Sequence, residues 1–136
     1  MTIFVDASAF IAILTGEPDA LALAERLEPE ADRLCSAISL WEAVAGLCRS
    51  HRFSVEASHG RVSAMRGLLG LRLVAIGEPE HDLAREAYRK FGKGRHPAAL
   101  NMGNCFAYAC AKTNRAGLLF KGEDFSQTDL GGADHV

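Results

Sequence analysis

Four short strand-like runs, Ile3 to Val5, Arg33 to Ile38, Leu71 to Ile76 and Gly117 to Phe120, are separated by longer segments with helical spacing. Strands alternating with helices specify an α/β domain with a mainly parallel sheet, because parallel neighbours need a crossover and a helix is the usual one. The first helix is expected over Ala7 to Leu14, where alanines continue the apolar run until Gly16 stops it. Glu17-Pro18 restarts a helix, with Pro18 in the tolerated first turn and Leu21, Ala24 and Leu27 as its inner stripe. Ser39-Leu40-Trp41-Glu42 opens the next, whose apolar face is Trp41, Val44, Ala45 and Cys48. Ser54 caps a helix carrying Val55, Val62, Met65, Leu68 and Leu69, and Glu78-Pro79 leads another to about Phe91. Gly92 to Pro97 is a loop rich in glycine and positive charge, and the last helix runs from about Asn101 to Lys112.

With 136 residues the chain suits one domain, expected over 1–130, with a loose tail at 131–136. Its 49% hydrophobic content suffices for a packed core and is too high for a disordered chain. No apolar run approaches the roughly 20 residues of a membrane span, and the N-terminus lacks a basic n-region, so no membrane and no secretory signal are expected. Cys35, Cys48, Cys105 and Cys110 form no C-x-x-C pair and have apolar neighbours, which reads as buried free thiols in a reducing cytoplasm. The five histidines show no ligand spacing, none is assigned to metal, and His59 and His81 are read as surface residues. A net charge of −2 excludes a wholesale polycation but not a nucleic-acid enzyme with a local basic patch.

Three acids fall at strand-to-helix exits: Asp6 after the first strand, Glu42 in the first turn after the second, and Asp124 just past the last. Open parallel sheets place their sites at the carboxyl ends of strands, so the fold can gather these acids at one edge. Clustered carboxylates raise one another's pKa and persist ionised when a cation neutralises them. Oxygen ligands without a histidine pair suit Mg²⁺ or Mn²⁺, whose open water positions accommodate phosphodiester hydrolysis. Each acid also has an ordinary alternative. Asp6 fits an N-cap, Glu42 a capping box with Ser39, and Asp124 a turn residue.

Four stretches, in this order, resemble the PIN-domain ribonucleases, specifically the VapC-type toxins of VapBC toxin–antitoxin pairs. They are Ile3-Phe4-Val5-Asp6-Ala7-Ser8-Ala9, Ser36-Ala37-Ile38-Ser39-Leu40-Trp41-Glu42, Leu100-Asn101-Met102-Gly103-Asn104-Cys105-Phe106-Ala107-Tyr108-Ala109 and Leu118-Leu119-Phe120-Lys121-Gly122-Glu123-Asp124-Phe125. The resemblance implies an α/β/α sandwich, Mg²⁺-dependent endonucleolytic cleavage of RNA, a homodimeric toxin and a cognate antitoxin that blocks the site. By position it makes Asp6, Glu42 and Asp124 acidic metal-site and catalytic residues, with Ser8 as a supporting polar residue.

The third stretch departs from the family, which carries Asp where this chain has Asn104. Asn is nearly isosteric with Asp, so the fold is expected to be indifferent, but the charge is lost and an NH₂ donor is added. Two unit charges about 4 Å apart interact by roughly 4 kcal/mol at an effective dielectric of 20, and a divalent cation doubles that gross figure. Weaker Mg²⁺ binding and severely reduced cleavage are therefore expected. Residue 104 as a mere first-turn dipole partner is the alternative.

Eight acids oppose Arg26 and Arg33 between Met1 and Leu47, whereas five arginines oppose only Glu56 between Arg49 and Arg72. A second basic stretch ends in Lys93-Gly94-Arg95-His96, directly before the helix that bears Asn104. Phosphate contact by Lys93 and Arg95 and a merely solvated basic face are the two readings. Trp41 and the Phe106/Tyr108 segment are read as core, with a base-stacking platform as the alternative. Apolar stripes on the second and fourth expected helices exceed what the core needs and mark a dimer or antitoxin groove.

Three functional classes follow. The first is the metal-dependent endoribonuclease toxin, impaired at residue 104. The second is a non-catalytic antitoxin- or RNA-binding module, and the third an aspartyl phosphotransferase with Asp6 as nucleophile. Phosphotransferases of the haloacid-dehalogenase type, which the third resembles, carry a second Asp two residues on, where this chain has Ser8.

Overall fold

The computed structural model describes residues 1–122 and 125–131. Its elements are β1 (Thr2–Val5), α1 (Ala7–Thr15), α2 (Ala20–Leu27), β2 (Asp32–Ser36), α3 (Ala37–His51), α4 (Val55–Leu69), β3 (Leu71–Val74), α5 (Glu78–Phe91), α6 (Met102–Thr113) and β4 (Gly117–Leu119). All strand pairs are parallel, in the order β3-β2-β1-β4, with Phe4 opposite Leu34 on one side and Leu118 on the other. The chain steps outward from β1 through β2 to β3, then returns to the far side of β1. Strand order therefore reverses between β1 and β4, where such sheets bind ligands beyond their carboxyl ends.

Strand pleating divides the core into two layers. Phe4, Leu34 and Leu118 pack with Ala84, Ala87, Leu100, Ala107 and Ala111 of the α5–α6 side. Ile3, Val5, Cys35 and Leu119 pack with Phe10, Leu23, Leu27, Ala43, Leu47 and Val62 of α1 to α4. The central strand β1 and its neighbour β4 read as apolar runs because both their faces are covered, whereas the edge strand β3 leaves Arg72 and Leu73 exposed; the layering is the α/β/α sandwich expected.

The main departure from expectation is at α3. Ser36 is its N-cap: the Ser36 hydroxyl accepts from the Ser39 N–H at 3.1 Å, and the Ser36 N–H donates to the Ser39 hydroxyl at 2.9 Å. Local side-chain bonding thus ends β2 at Ser36 and turns Ala37-Ile38 into helix. The earlier start rotates the buried face to Ser39, Ala43, Gly46 and Leu47, and Trp41 is 67% exposed rather than core. In the same way α2 begins at Ala20, after a turn at Pro18-Asp19, which buries Leu23 and Leu27 and leaves Leu21 exposed. β3 stops at Val74, before Ile76.

The segment after β4 is tied back onto α6. Phe125 is buried edge-on against Phe120, with ring centroids 5.2 Å apart, and the Tyr108 hydroxyl donates to Asp129 Oδ1 at 2.6 Å. Lys112 pairs with the other Asp129 oxygen. Gly131, the first residue of the expected tail, is buried, and the rest of that tail lies outside the described residues. Cys35, Cys105 and Cys110 are buried free thiols, and Cys48 is half-buried. Among the described residues no single helix is long and apolar enough to cross a membrane.

Candidate functional site

Asp6 ends β1 and caps α1, so the sheet and the helix together hold its carboxylate at the reversal point. Its N–H donates to the Leu119 carbonyl at 2.9 Å, which continues the β1–β4 ladder. Oδ2 accepts from the Ser8 N–H at 3.0 Å and from the Ser8 hydroxyl at 2.6 Å. Ser8 Oγ in turn accepts the Lys121 N–H at 3.0 Å. One hydroxyl therefore locks the ends of β1 and β4 together. Asp6 is only 3% exposed. Its N-cap role is real and coexists with its place in the site.

Glu42 enters from α3, in the same helical layer as α1. Because α3 starts at Ala37 with a Ser36–Ser39 cap, Glu42 lies in the second turn and takes no part in the capping box. Its carboxylate packs against the Cα of Gly103 in the first turn of α6. A Cβ at position 103 would lie 1.9 to 2.2 Å from the Glu42 carboxyl atoms, a space only glycine leaves open. Burial and the nearby Asp6 carboxylate raise the Glu42 carboxyl to about 7, with Arg49 opposing the rise. Two carboxylates from different elements are thus close enough that the charge on Asp6 disfavours ionisation of Glu42.

Asn104 stands beside Gly103 as the third helical residue of α6. Asn101 Oδ1 accepts its N–H at 2.9 Å, and Asn104 Oδ1 accepts the Asn101 N–H at 3.1 Å, a reciprocal cap. The amide thus serves the first helix turn, one residue after the glycine against which Glu42 packs. An aspartate here would keep that bond with one oxygen and bring a charged oxygen where Nδ2 now stands. Asp124 lies outside the described residues.

The donors fit a hard divalent cation only in part. Asp6 and Glu42 supply two carboxylates in mutual repulsion, which a cation relieves, and Asn104 supplies a neutral amide where a third charge would complete the set. Among the described residues no three His, Cys, Asp or Glu side chains form a metal-binding group. Oxygen donors favour Mg²⁺ or Mn²⁺ over zinc.

Two features escaped the sequence. Gly103 carried a local signal, a glycine inside a helix with no turn to explain it. The pairing of Lys121 with Glu17, and with Asp19 at 3.5 Å, joins residues about a hundred positions apart and had none. Lys93 and Arg95 sit in an exposed loop closed by the Leu100 N–H to Phe91 carbonyl bond at 2.9 Å, just before α6. Neither makes an ion pair among the described residues. Arg95 instead lies 5.2 Å above the Tyr88 ring.

Comparison with known proteins agrees with this architecture. The model of the PIN domain family matches residues 3–130. Ribonuclease VapC30 of Mycobacterium tuberculosis is 41% identical, over 93% of this chain and 94% of its own. A VapC ribonuclease of Rhizobium meliloti is 39% identical, over 94% and 99%. The crystal structure of the sarcin–ricin-loop-cleaving toxin VapC20 of Mycobacterium tuberculosis superposes with a TM-score of 0.68 at 17% identity, covering 93% of this chain and 95% of that one.

Proposed function

The chain belongs to the PIN-domain family, among its VapC ribonucleases, and on that premise we propose a Mg²⁺- or Mn²⁺-dependent endoribonuclease toxin whose cleavage is curtailed by Asn104. The observation that carries this reading is the meeting of Glu42 with Gly103 and its electrostatic coupling to Asp6. Acids from the end of β1 and the second turn of α3 converge on the start of α6, beside residue 104.

Asp6 and Glu42, with residue 104 and with Asp124 as the family likeness implies, would hold the ion. When bound, the cation would neutralise charge on the phosphodiester and make a water more acidic. Ser8 keeps the Asp6 carboxylate oriented by donating to Oδ2. Glu42, about half protonated near pH 7, would give up that proton in order to hold a cation. Lys93 and Arg95, unopposed by acids among the described residues, hold backbone phosphates of the RNA.

In the cell this reading places a homodimer in the cytoplasm under a cognate antitoxin. The exposed Trp41 and Val55, which line a groove between α3 and α4, support docking of an antitoxin helix there.

A second reading, a non-catalytic RNA- or antitoxin-binding module, is favoured by the engagement of Asn104 Oδ1 in the helix cap. One comparison decides between them: cleavage of defined RNA by this chain and by Asn104→Asp, with Mg²⁺ and with Mn²⁺. The toxin reading expects Asn104→Asp to be faster by roughly 100-fold or more, as a loss of a few kcal/mol at a charged ligand implies. If both are inert while folded and RNA-bound, the binding module stands instead.

A further inference from the structure

The basic loop before α6 borders a feature that the carboxylate site leaves unused. A groove of about 300 Å³ opens between α5 and α6, lined by Tyr88, Arg85 and His81 from α5 and by Met102, Cys105 and Phe106 from α6. Its volume is at the lower end of small-ligand sites, which run from about 300 to 1,000 Å³. The wall is mostly apolar, with Tyr88 44% and Met102 61% exposed. Met102 and Cys105 flank Gly103-Asn104 in the chain but face α5, so the groove lies on a different side of the same first turn of α6 from the Glu42 contact.

The charge around it is uneven. Arg85 at the wall is shared with Asp82 at 3.6 Å. Arg95 has no acidic partner among the described residues and spends its charge on the Tyr88 face at 5.2 Å, and Lys93 is likewise unopposed. An exposed aromatic already carrying a guanidinium on its ring, with a second cation two residues away, is the pairing used to seat a splayed base beside its phosphate. Single-stranded RNA offers such bases because its recognition proceeds through unstacked nucleotides on aromatic and arginine planes.

We propose that the α5–α6 groove is a nucleobase subsite, which takes one unstacked base of the RNA next to the scissile phosphate between Tyr88, Phe106 and Met102, with Arg95 and Lys93 on its phosphate. This rests on the ribonuclease reading and adds to it the position at which the substrate is gripped.

The test uses fluorescein-labelled single-stranded RNA octamers, one intact and one with abasic positions, titrated with the full chain in EDTA so that binding is read without cleavage. Tyr88→Ala is expected to weaken binding of the intact octamer by about 5- to 100-fold, the range of one base–aromatic stack. It should leave binding of the abasic octamer unchanged. Met102→Ala, an exposed position at the helix start, should do the same and guards against a misfolded Tyr88 variant. Tyr88→Phe should retain wild-type binding. Equal binding of both octamers by wild type and variants overturns the subsite, and cleavage by Asn104→Asp then shows that the ribonuclease reading survives. Variants that change the mass in light scattering but not RNA affinity also overturn it, by making the groove a chain–chain contact. Absence of both RNA binding and cleavage in wild type and Asn104→Asp removes the two readings together.

Discussion

Replacing Glu42 by Gln should stabilise the metal-free protein at alkaline pH while abolishing what cleavage it has. Burial and Asp6 raise the Glu42 carboxyl from 4.5 to about 7. At 1.36 kcal/mol per pKa unit the ionised form carries a gross penalty of about 3 kcal/mol. Glu42 is only half-buried, and solvent screening reduces that to about 1–2 kcal/mol. The sign follows from proton counts. Between pH 4.5 and 7 the folded chain keeps a proton that the unfolded chain has released, so stability falls as pH rises through that window. The glutamine amide has nearly the same shape as the carboxyl group and no charge to desolvate. The Glu42→Gln variant should match wild type near pH 4.5 and exceed it by about 1–2 kcal/mol at pH 8, or about 3–8 °C in Tm for a domain of this size. Urea and thermal unfolding in EDTA at pH 4.5, 6 and 8 measure the gap. Saturating Mg²⁺ should narrow it, because the ion stabilises only the chain that retains the carboxylate. A gap that ignores pH, or a Glu42→Gln variant less stable than wild type at pH 8, would refute the electrostatics assigned to Glu42.

Three further outcomes follow from the geometry. Gly103→Ala puts a Cβ on the Glu42 carboxylate, so the flexible glutamate must swing away. Thermal unfolding should show unchanged or higher stability, since Ala favours a helix by about 1 kcal/mol over Gly, whereas cleavage in an Asn104→Asp background should fall at least about tenfold. Ser8→Ala removes the hydroxyl between Asp6 and the Lys121 N–H and should cost about 1–3 kcal/mol in urea denaturation. Tyr108→Phe deletes the 2.6 Å bond to Asp129, with a loss of about 1 kcal/mol and faster hydrogen exchange over residues 125–131 as the measured result.

Asp6 was legible because its strand and helix are adjacent in the chain, so an acid at that junction has only one place to be. The start of α6 was legible too, since the Leu100-Asn101-Met102-Gly103-Asn104 stretch carries its own cap. Trp41 shows the opposite case. Its burial depended on where α3 begins, and a two-residue error in a helix start turns the face by about 200°. Leu21 was misplaced for the same reason. Gly103 looked like an ordinary helix glycine until Glu42, about sixty residues earlier, was found against it.

The order of strands and helices, the apolar character of both sheet faces, and the carboxylates at strand exits were all determined by the amino-acid sequence alone, because propensity, capping and spacing act over a few residues. The tertiary structure decided that β4 returns beside β1, that Glu42 packs on Gly103 and feels the charge of Asp6, and that Tyr88 and Phe106 line one groove. Those outcomes depend on parallel pairing and layer packing between distant segments, and a charge acquires its pKa only from the neighbours that such packing supplies.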